Sequence, residues 1–446
     1  MKSFTAWFSN IVESNNYDYL DETHPLGHEL DQQADKNPKG FIGFVHLLGT
    51  WAKEHPGNIL KVIHKLRPVL TIKNVSAVTS YEAVKDVLGR DSDFNVTYGP
   101  KMEIITKGKG FFLGMDDSSQ GFSARNNMQM LFRRDDLDSL VKPIIRSLCK
   151  SQLENIPDQF DLVDDYLKNI PSKFAIQYFG LQQTKPEWLL KTTQTLFEYL
   201  FIDVVNDPVL AKKAANAAAE LRQQLDEVIA FSIENIEQSS LVHSETVIAR
   251  GITLNNAGVN GFDPINLRNN ILGLLIGLVP TTAKSAAMAF DYGTQTHEKA
   301  DHFYQSYQNN SNGSFQNTVR ELTRLNPINP GLFRKAAFDT QITSGGKQYP
   351  IKKGTLIFVG TYTAMQDKKH VNDPLKIKID RPESVYLTYG FGLHACFGRY
   401  INDFHVAQLL ESLFDKDHYI REENSTGNLN FEGVFPVSLK IKKVLD

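Results

Sequence analysis

The sequence predicts an α+β fold that is mainly α, a large helical region with small β-sheets. Three observations carry this. Apolar residues recur at three- and four-residue spacing from about Phe122 to Ala300. Short strand-like apolar runs occur only before and after that region. No Pro-, Gly- or Ser-rich linker divides the chain, so residues 1–446 are expected to form a single domain.

In chain order, VLTI (69–72) and VSAVTS (75–80) read as two strands, and YEAVKDVL (81–88) as a helix. Residues 90–120, rich in Gly, Asp and Ser, read as loop with a short helix. RNNMQMLF, DDLDSLVKPIIRSLCKSQL, QFDLVDDYLKNIPSKFAIQYFGL and PEWLLKTTQTLFEYLFIDVV all carry helical periodicity. The Ala- and Glu-rich KKAANAAAELRQQLDEVIAFSIENIEQ predicts a long amphipathic helix. A further helix is expected from about 264 to 297. Beyond Arg334, FRKAAFDTQIT, KQYPIKKGTLIFVG and VSLKIKKVL predict short strands joined by Gly turns.

Composition narrows the function classes. A formal net charge of −3 gives no bias toward nucleic acid or an anionic membrane. Two cysteines, Cys149 and Cys396, are too few for a disulfide-stapled secreted fold and favour a reducing, cytoplasmic setting. The N-terminus, MKSFTAWFSNIVESNNYDYL, lacks an uninterrupted apolar core of a signal peptide. The most apolar stretch, residues 271–280, is far shorter than the roughly 20 residues that span a bilayer. The expectation is a protein with no membrane anchor and no fused reductase.

The informative segment is YLTYGFGLHACFGRYINDFHVAQLLESLF, residues 386–414. A turn of Tyr389, Gly390, Phe391 and Gly392 leads to His394, Cys396 and Gly398, and then to a helix. Gly390 and Gly392 permit positive φ and a close backbone approach. Cys396 near a helix start is placed where N–H groups and the dipole favour a thiolate. Gly398 leaves room for a flat cofactor, and His394 suits an anionic substituent. On these residues alone, a buried structural cysteine stays open, as does a zinc site using Cys396, His394 and His405. The zinc site lacks paired ligand spacing.

The segment resembles the haem-binding loop of the cytochrome P450 family, F-G-x-G-x-H-x-C-x-G, matched at Gly390, Gly392, His394, Cys396 and Gly398. Tyr389 stands where the family has Phe, near the sulfur. The resemblance implies the cytochrome P450 fold, haem b as cofactor and Cys396 as the iron ligand, with Tyr389, Phe391, Gly392 and Gly398 around the haem. Glu321 and Arg324 match the family's E-x-x-R pair, which at i, i+3 shares one helix face and ties down the meander before the cysteine. DPLKIKIDRP resembles that meander, with Lys376 where Arg is frequent. In GMDDSSQGFSARNNMQMLF, Arg125 falls on a propionate-contacting position, while Gly121 replaces the family's His. Arg334 falls on a strand position that holds the other propionate.

The oxygen-activating helix of the family carries A/G-G-x-D/E-T-T/S. Here the matching run is Gly277-Leu278-Val279-Pro280-Thr281-Thr282. Pro280 replaces the acid, removes a helical N–H and predicts a kink, with the Ile276 carbonyl freed. Proton relay would rest on Thr281, Thr282 and water. Family relatives lacking the acid include peroxide-using fatty-acid hydroxylases, in which an Arg before the Pro anchors a carboxylate; Val279 stands there instead.

Three functions follow. One is an O2-dependent monooxygenase acting on an apolar or amphipathic small molecule and fed by a ferredoxin or flavodoxin. Another is a peroxygenase or hydroperoxide isomerase acting on a lipid-like, fatty-acid-like substrate without electron partners. The third is a non-catalytic haem-binding protein. Phe197, Tyr199, Phe201 and Phe231 are expected as plain core more than as substrate contacts. Lys101 and Lys107 are candidate carboxylate binders that more often are simply solvated.

Overall fold

A computed structural model describes residues 67–108, 110–116, 119–203, 206–235, 245–311 and 313–444. The N-terminal segment read above lies outside these residues. The chain forms two compact units. One contains the residues up to Thr97 with Asn329–Lys376 and Arg381–Cys396; the other contains Tyr98–Ile328, Ile377–Asp380 and Phe397–Asp446.

The first unit is built on a five-stranded sheet in the order Val69–Ile72, Val75–Val78, Leu356–Val359, Leu332–Ala336, Phe94–Val96. Val75–Val78 and Leu356–Val359 run parallel, and the other neighbours run antiparallel. Thr340–Ser344 and Lys347–Ile351 form a separate hairpin. The helix Tyr81–Leu88 starts where the Ser80 hydroxyl accepts the Ala83 N–H, and buries Ala83, Val84, Val87 and Leu88. The Ser80 hydroxyl also meets that of Ser344 at 2.7 Å, fastening helix to hairpin. Within the stretch read as loop, Phe94–Val96 is a strand of this sheet; pairing with Leu332–Ala336 overrode its polar surroundings.

The second unit is helical. At its centre lies Pro264–Gly293, opened by Asp263, whose carboxylate accepts the Asn266 N–H, and by Pro264 at the first helical position. Packed around it are Asn169–Phe179, Pro186–Phe197, Pro208–Asn235, Ser314–Leu325 and Arg399–Lys416. It is the one helix among the described residues long and apolar enough to cross a membrane, and most of it is buried inside the protein.

The structure corrects two further expectations. The helix stops at Gly293 instead of near 297. A side chain at 293 would press on Phe303, which belongs to the next helix, His297–Gln308, capped by Thr296. The helix runs on through Pro280, which supplies no N–H to its hydrogen-bond ladder. Gln159–Asp161, at the start of a run with helical spacing, is instead a strand paired with Lys440–Lys443. The Asp161 carboxylate there accepts the N–H groups of Val163 (3.0 Å) and Leu439 (3.2 Å), which ends the strand and starts the next turn. The short helix expected within residues 90–120 is Gly99–Thr106.

A buried ion pair fixes the second unit internally. Arg250 donates to both Asp136 oxygens, at 2.5 and 2.8 Å, and to the Leu131 carbonyl at 2.8 Å. Tyr178 donates to the same carboxylate at 2.6 Å. Because each partner is desolvated, removing one leaves a stranded charge. Arg250→Ala should cost about 3–5 kcal/mol and Tyr178→Phe about 1 kcal/mol, both read by denaturant unfolding.

Candidate functional site

In the first unit, the segment ending at Cys396 is stiffened by its own backbone. The Cys396 N–H donates to the Tyr389 carbonyl at 2.9 Å, Gly390 N–H to Leu387 at 3.0 Å, and Ala395 N–H to Gly392 at 3.2 Å. Gly390 and Gly392 take φ of 74° and 76°, as expected of them. At Gly392 a side chain would also collide with the Leu88 carbonyl, so glycine is required by contact as well as by φ. The result is a rigid turn that presents Cys396 on the surface. Phe391 is exposed, with the Lys85 ammonium 4.6 Å from its ring centre.

Asp91, not anticipated from the sequence, organises this turn. Its carboxylate accepts the Leu393 N–H at 3.2 Å and lies 3.9 Å from His394 Nε2. Only the closeness of residue 91 to Gly89 and Arg90, in a loop read as irregular, hinted at a role. Arg334 is buried in the middle of its strand, opposite Val96 and Ile357, and donates to the Phe333 carbonyl at 3.0 Å. Arg381 ties the meander of this unit, donating to the carbonyls of Asn372, Asp373 and Lys376. The Lys376 side chain is itself exposed, with its amine 4.0 Å from Asp373.

In the second unit, Glu321 and Arg324 are fully buried and paired in two hydrogen bonds of 2.7 and 2.9 Å. Glu321 also accepts the Lys378 N–H at 3.0 Å, so a backbone donor of the meander completes that knot. Arg125 is half-buried, with its guanidinium 5.7 Å from the centre of the Phe397 ring. Gly398 caps the helix Arg399–Lys416, and no atom lies near the place a side chain would occupy.

The central helix is buried along most of its length but opens at Gly277, which is exposed; a methyl group there would meet nothing within 4 Å. Thr281, one turn on, donates its hydroxyl to the Gly277 carbonyl. Thr282 donates to the Leu278 carbonyl at 2.9 Å and meets Asn402 Oδ1 at 2.7 Å. Pro280 is buried between them. The turn from Gly277 to Thr282 therefore carries no ionisable side chain, and both hydroxyls are engaged with helix carbonyls.

Several candidates have structural roles. Lys101 is locked to Asp203 Oδ2 at 2.8 Å and to the Tyr199 carbonyl at 3.0 Å, which withdraws it from carboxylate binding. Lys107 ends its helix in a left-handed conformation and is exposed. Phe197 and Tyr199 are buried, Phe197 packs near Phe201 and Phe435, and Phe231 lies on the surface. Cys149 is buried in the core, where desolvation pushes its thiol up to about 11. One residue escaped sequence reasoning. Lys284 is buried in the central helix, the single charged residue between Arg268 and Asp291; that isolation was the available signal.

The donor set suits a macrocycle better than a bare metal ion. Among the described residues, no cluster of three His, Cys, Asp or Glu side chains could hold a metal, which counts against zinc at Cys396, His394 and His405. His405 is fully buried against Phe174, and burial alone pushes its imidazole down to about 3. A single exposed thiol on a turn held by its own backbone hydrogen bonds fits a metal cofactor that brings its own equatorial ligands.

Comparison with known proteins agrees. The Cytochrome P450 family profile matches residues 315–416. The chain is 22% identical to Psi-producing oxygenase A of Emericella nidulans over 79% of its own length, and spans 36% of that relative. It is 34% identical, over 22% of its length, to the bifunctional dioxygenase (DOX)-epoxy alcohol synthase (EAS) of Pyricularia oryzae, covering 9% of it. Its fold matches the haem domain of CYP116B5 from Acinetobacter radioresistens with a TM-score of 0.71 at 18% identity, covering 88% of this chain and 95% of that one. It also matches cytochrome P450 CYP109B1 from Bacillus subtilis with a TM-score of 0.68 at 20% identity, covering 87% and 99%.

Two outcomes test this site. Gly390→Ala should cost about 1–2 kcal/mol from the left-handed backbone alone, whereas Gly392→Ala should cost more by denaturant unfolding, because Leu88 must also move. For His405, the folded value of about 3 lies below the ordinary 6.5, so the unfolded chain takes up the proton first. The stability tied to neutral His405 is complete above pH 6.5 and declines as pH falls toward 3. His405→Leu should flatten that part of the stability–pH curve.

Proposed function

We propose that this chain, whose residues 315–416 match the Cytochrome P450 family profile and whose fold matches solved cytochrome P450 structures, is a haem-thiolate enzyme oxidising a lipid-like substrate with an oxygen donor already at the peroxide level. Cys396 would bind the iron of haem b, with His394, Arg125 and Arg334 toward its propionates and Tyr389, Phe391, Gly392 and Gly398 around the sulfur. A haem held by thiolate supplies electron density that favours O–O cleavage.

The observation that carries the reading is the turn from Gly277 to Thr282. Activation of O2 consumes two electrons and two protons, and the protons need a relay. Here Pro280 stands in place of the acid, and the Thr281 and Thr282 hydroxyls donate to the Gly277 and Leu278 carbonyls. A peroxide needs no such supply. One oxygen atom enters the substrate and the other leaves as water or, from a lipid hydroperoxide, as the alcohol. Gly277, exposed and with nothing within 4 Å of where a side chain would stand, leaves space for the donor. The names of the relatives, among them Linoleate 10R-lipoxygenase of Aspergillus fumigatus and Linoleate diol synthase of Gaeumannomyces graminis, support a fatty-acid-like substrate. The two cysteines support a cytoplasmic setting.

A second reading keeps O2 as oxidant, with electrons from a ferredoxin or flavodoxin. The retention of Thr281 beside the open Gly277 favours it. The discriminating experiment compares product formation with hydrogen peroxide or a fatty-acid hydroperoxide against formation with O2, NAD(P)H and a reductase–ferredoxin pair. Peroxide-driven product that survives in Thr281→Ala is expected. Product only with O2 and electrons, lost in Thr281→Ala, would establish the second reading. Cys396→Ala should abolish the thiolate-type band of the reduced carbon-monoxide complex; persistence of that band removes the haem-thiolate assignment.

A further inference from the structure

We propose that Lys284 binds the acidic head group of the substrate, a carboxylate-bearing lipid lying along the Gly277–Thr281 face of the central helix; the inference rests on the haem-thiolate reading above.

Five Arg or Lys residues are buried among the described residues, and four have partners. Arg222 donates to the Ile105 carbonyl, Arg250 to Asp136, Arg324 to Glu321 and Arg334 to the Phe333 carbonyl. Lys284, 6% exposed, makes no hydrogen bond or ion pair with any of them or with anything else described. Buried ammonium groups are costly unless a counter-charge is near, and none of the carboxylates of this helical unit supplies it. An anion from outside the chain would.

Position says which anion. At 3.6 residues per turn, Thr281 lies roughly 40° to one side of Gly277 and Lys284 roughly 20° to the other, so the three form one stripe. Helical side chains lean toward the N-terminus, which carries the Lys284 amine back over the turn at Gly277 and Thr281. Thr282, whose hydroxyl meets Asn402 on Arg399–Lys416, lies on roughly the opposite side of the helix, about 160° from Lys284. The amine therefore faces the open side, bordered by apolar Leu278 and Met288. A single cation in an otherwise apolar lining matches an amphipathic acid with one charge and a hydrocarbon body. Desolvation lowers the amine only to about 8, so it is still a cation at neutral pH. Lys101, the earlier candidate for this role, is already committed to Asp203.

The test is equilibrium binding of a long-chain fatty acid and of its methyl ester to the haem-loaded wild type, Lys284→Met and Lys284→Arg. Wild type should prefer the acid roughly ten- to hundredfold, the gain from a hydrogen-bonded charge. Lys284→Met should lose that preference while keeping ester affinity and the carbon-monoxide spectrum, and Lys284→Arg should keep most of it. In the wild type, the free acid but not the ester should also protect Lys284 from acetylation, read by peptide mass spectrometry. An unchanged acid preference in Lys284→Met, or no protection by the acid, overturns the proposal. Absence of the thiolate spectrum in wild type would instead overturn the haem reading, since protection of the amine is measured without it.

Discussion

A thiol can be presented in one fixed place only if the backbone carrying it has nowhere to go. Here that constraint is met by contact. Gly392 sits against the Leu88 carbonyl, the Cys396 N–H is held by Tyr389, and Asp91 takes the Leu393 N–H. Leu88 ends a helix whose own position is set by Ser80 and the hairpin that Ser344 closes. The hold on the thiol is thus inherited from a helix and a hairpin far away in sequence.

The second unit solves a different problem. Its central helix must be long, apolar and largely buried, yet must open at one turn where chemistry can occur. Glycine at 277 makes the opening, and proline at 280 sits buried within a helix packed against several others. The threonines that follow spend their hydroxyls on helix carbonyls, so this turn is chemically quiet. On the proposed reading, a quiet turn beside the Lys284 ammonium would place a substrate more than pass protons.

Much of this was legible in the sequence, and the parts that were not share a cause. The strands at 69–72 and 75–78, the helix 81–88 and the strands after Arg334 stand where local pattern puts them, because each is short and its periodicity is unambiguous. Gly390, Gly392 and Cys396 were readable because backbone demands of this kind leave few residue choices. The Glu321–Arg324 pairing followed from i, i+3 spacing, but its third partner, the Lys378 N–H, is a main-chain group that no side-chain pattern reveals. Asp91 and Asn402 act through residues distant in sequence, and Lys101 was misread because Asp203, its partner, lies about a hundred positions on. Phe94–Val96 and Gln159–Asp161 became strands only because their partners lie elsewhere in the chain. Long-range pairing overrode local propensity in each case.

The unequal fates of the two cysteines carry a practical consequence. Cys149 is sealed in the core with its thiol suppressed, while Cys396 stands at the surface. Alkylating reagents should therefore discriminate between them without any engineering of the chain. In preparations lacking cofactor, a maleimide would tag one position alone, and on the proposed haem-thiolate reading occupancy of that sulfur by iron would silence the labelling. The wild-type polypeptide thus contains its own titratable reporter of how completely it has been charged with pigment.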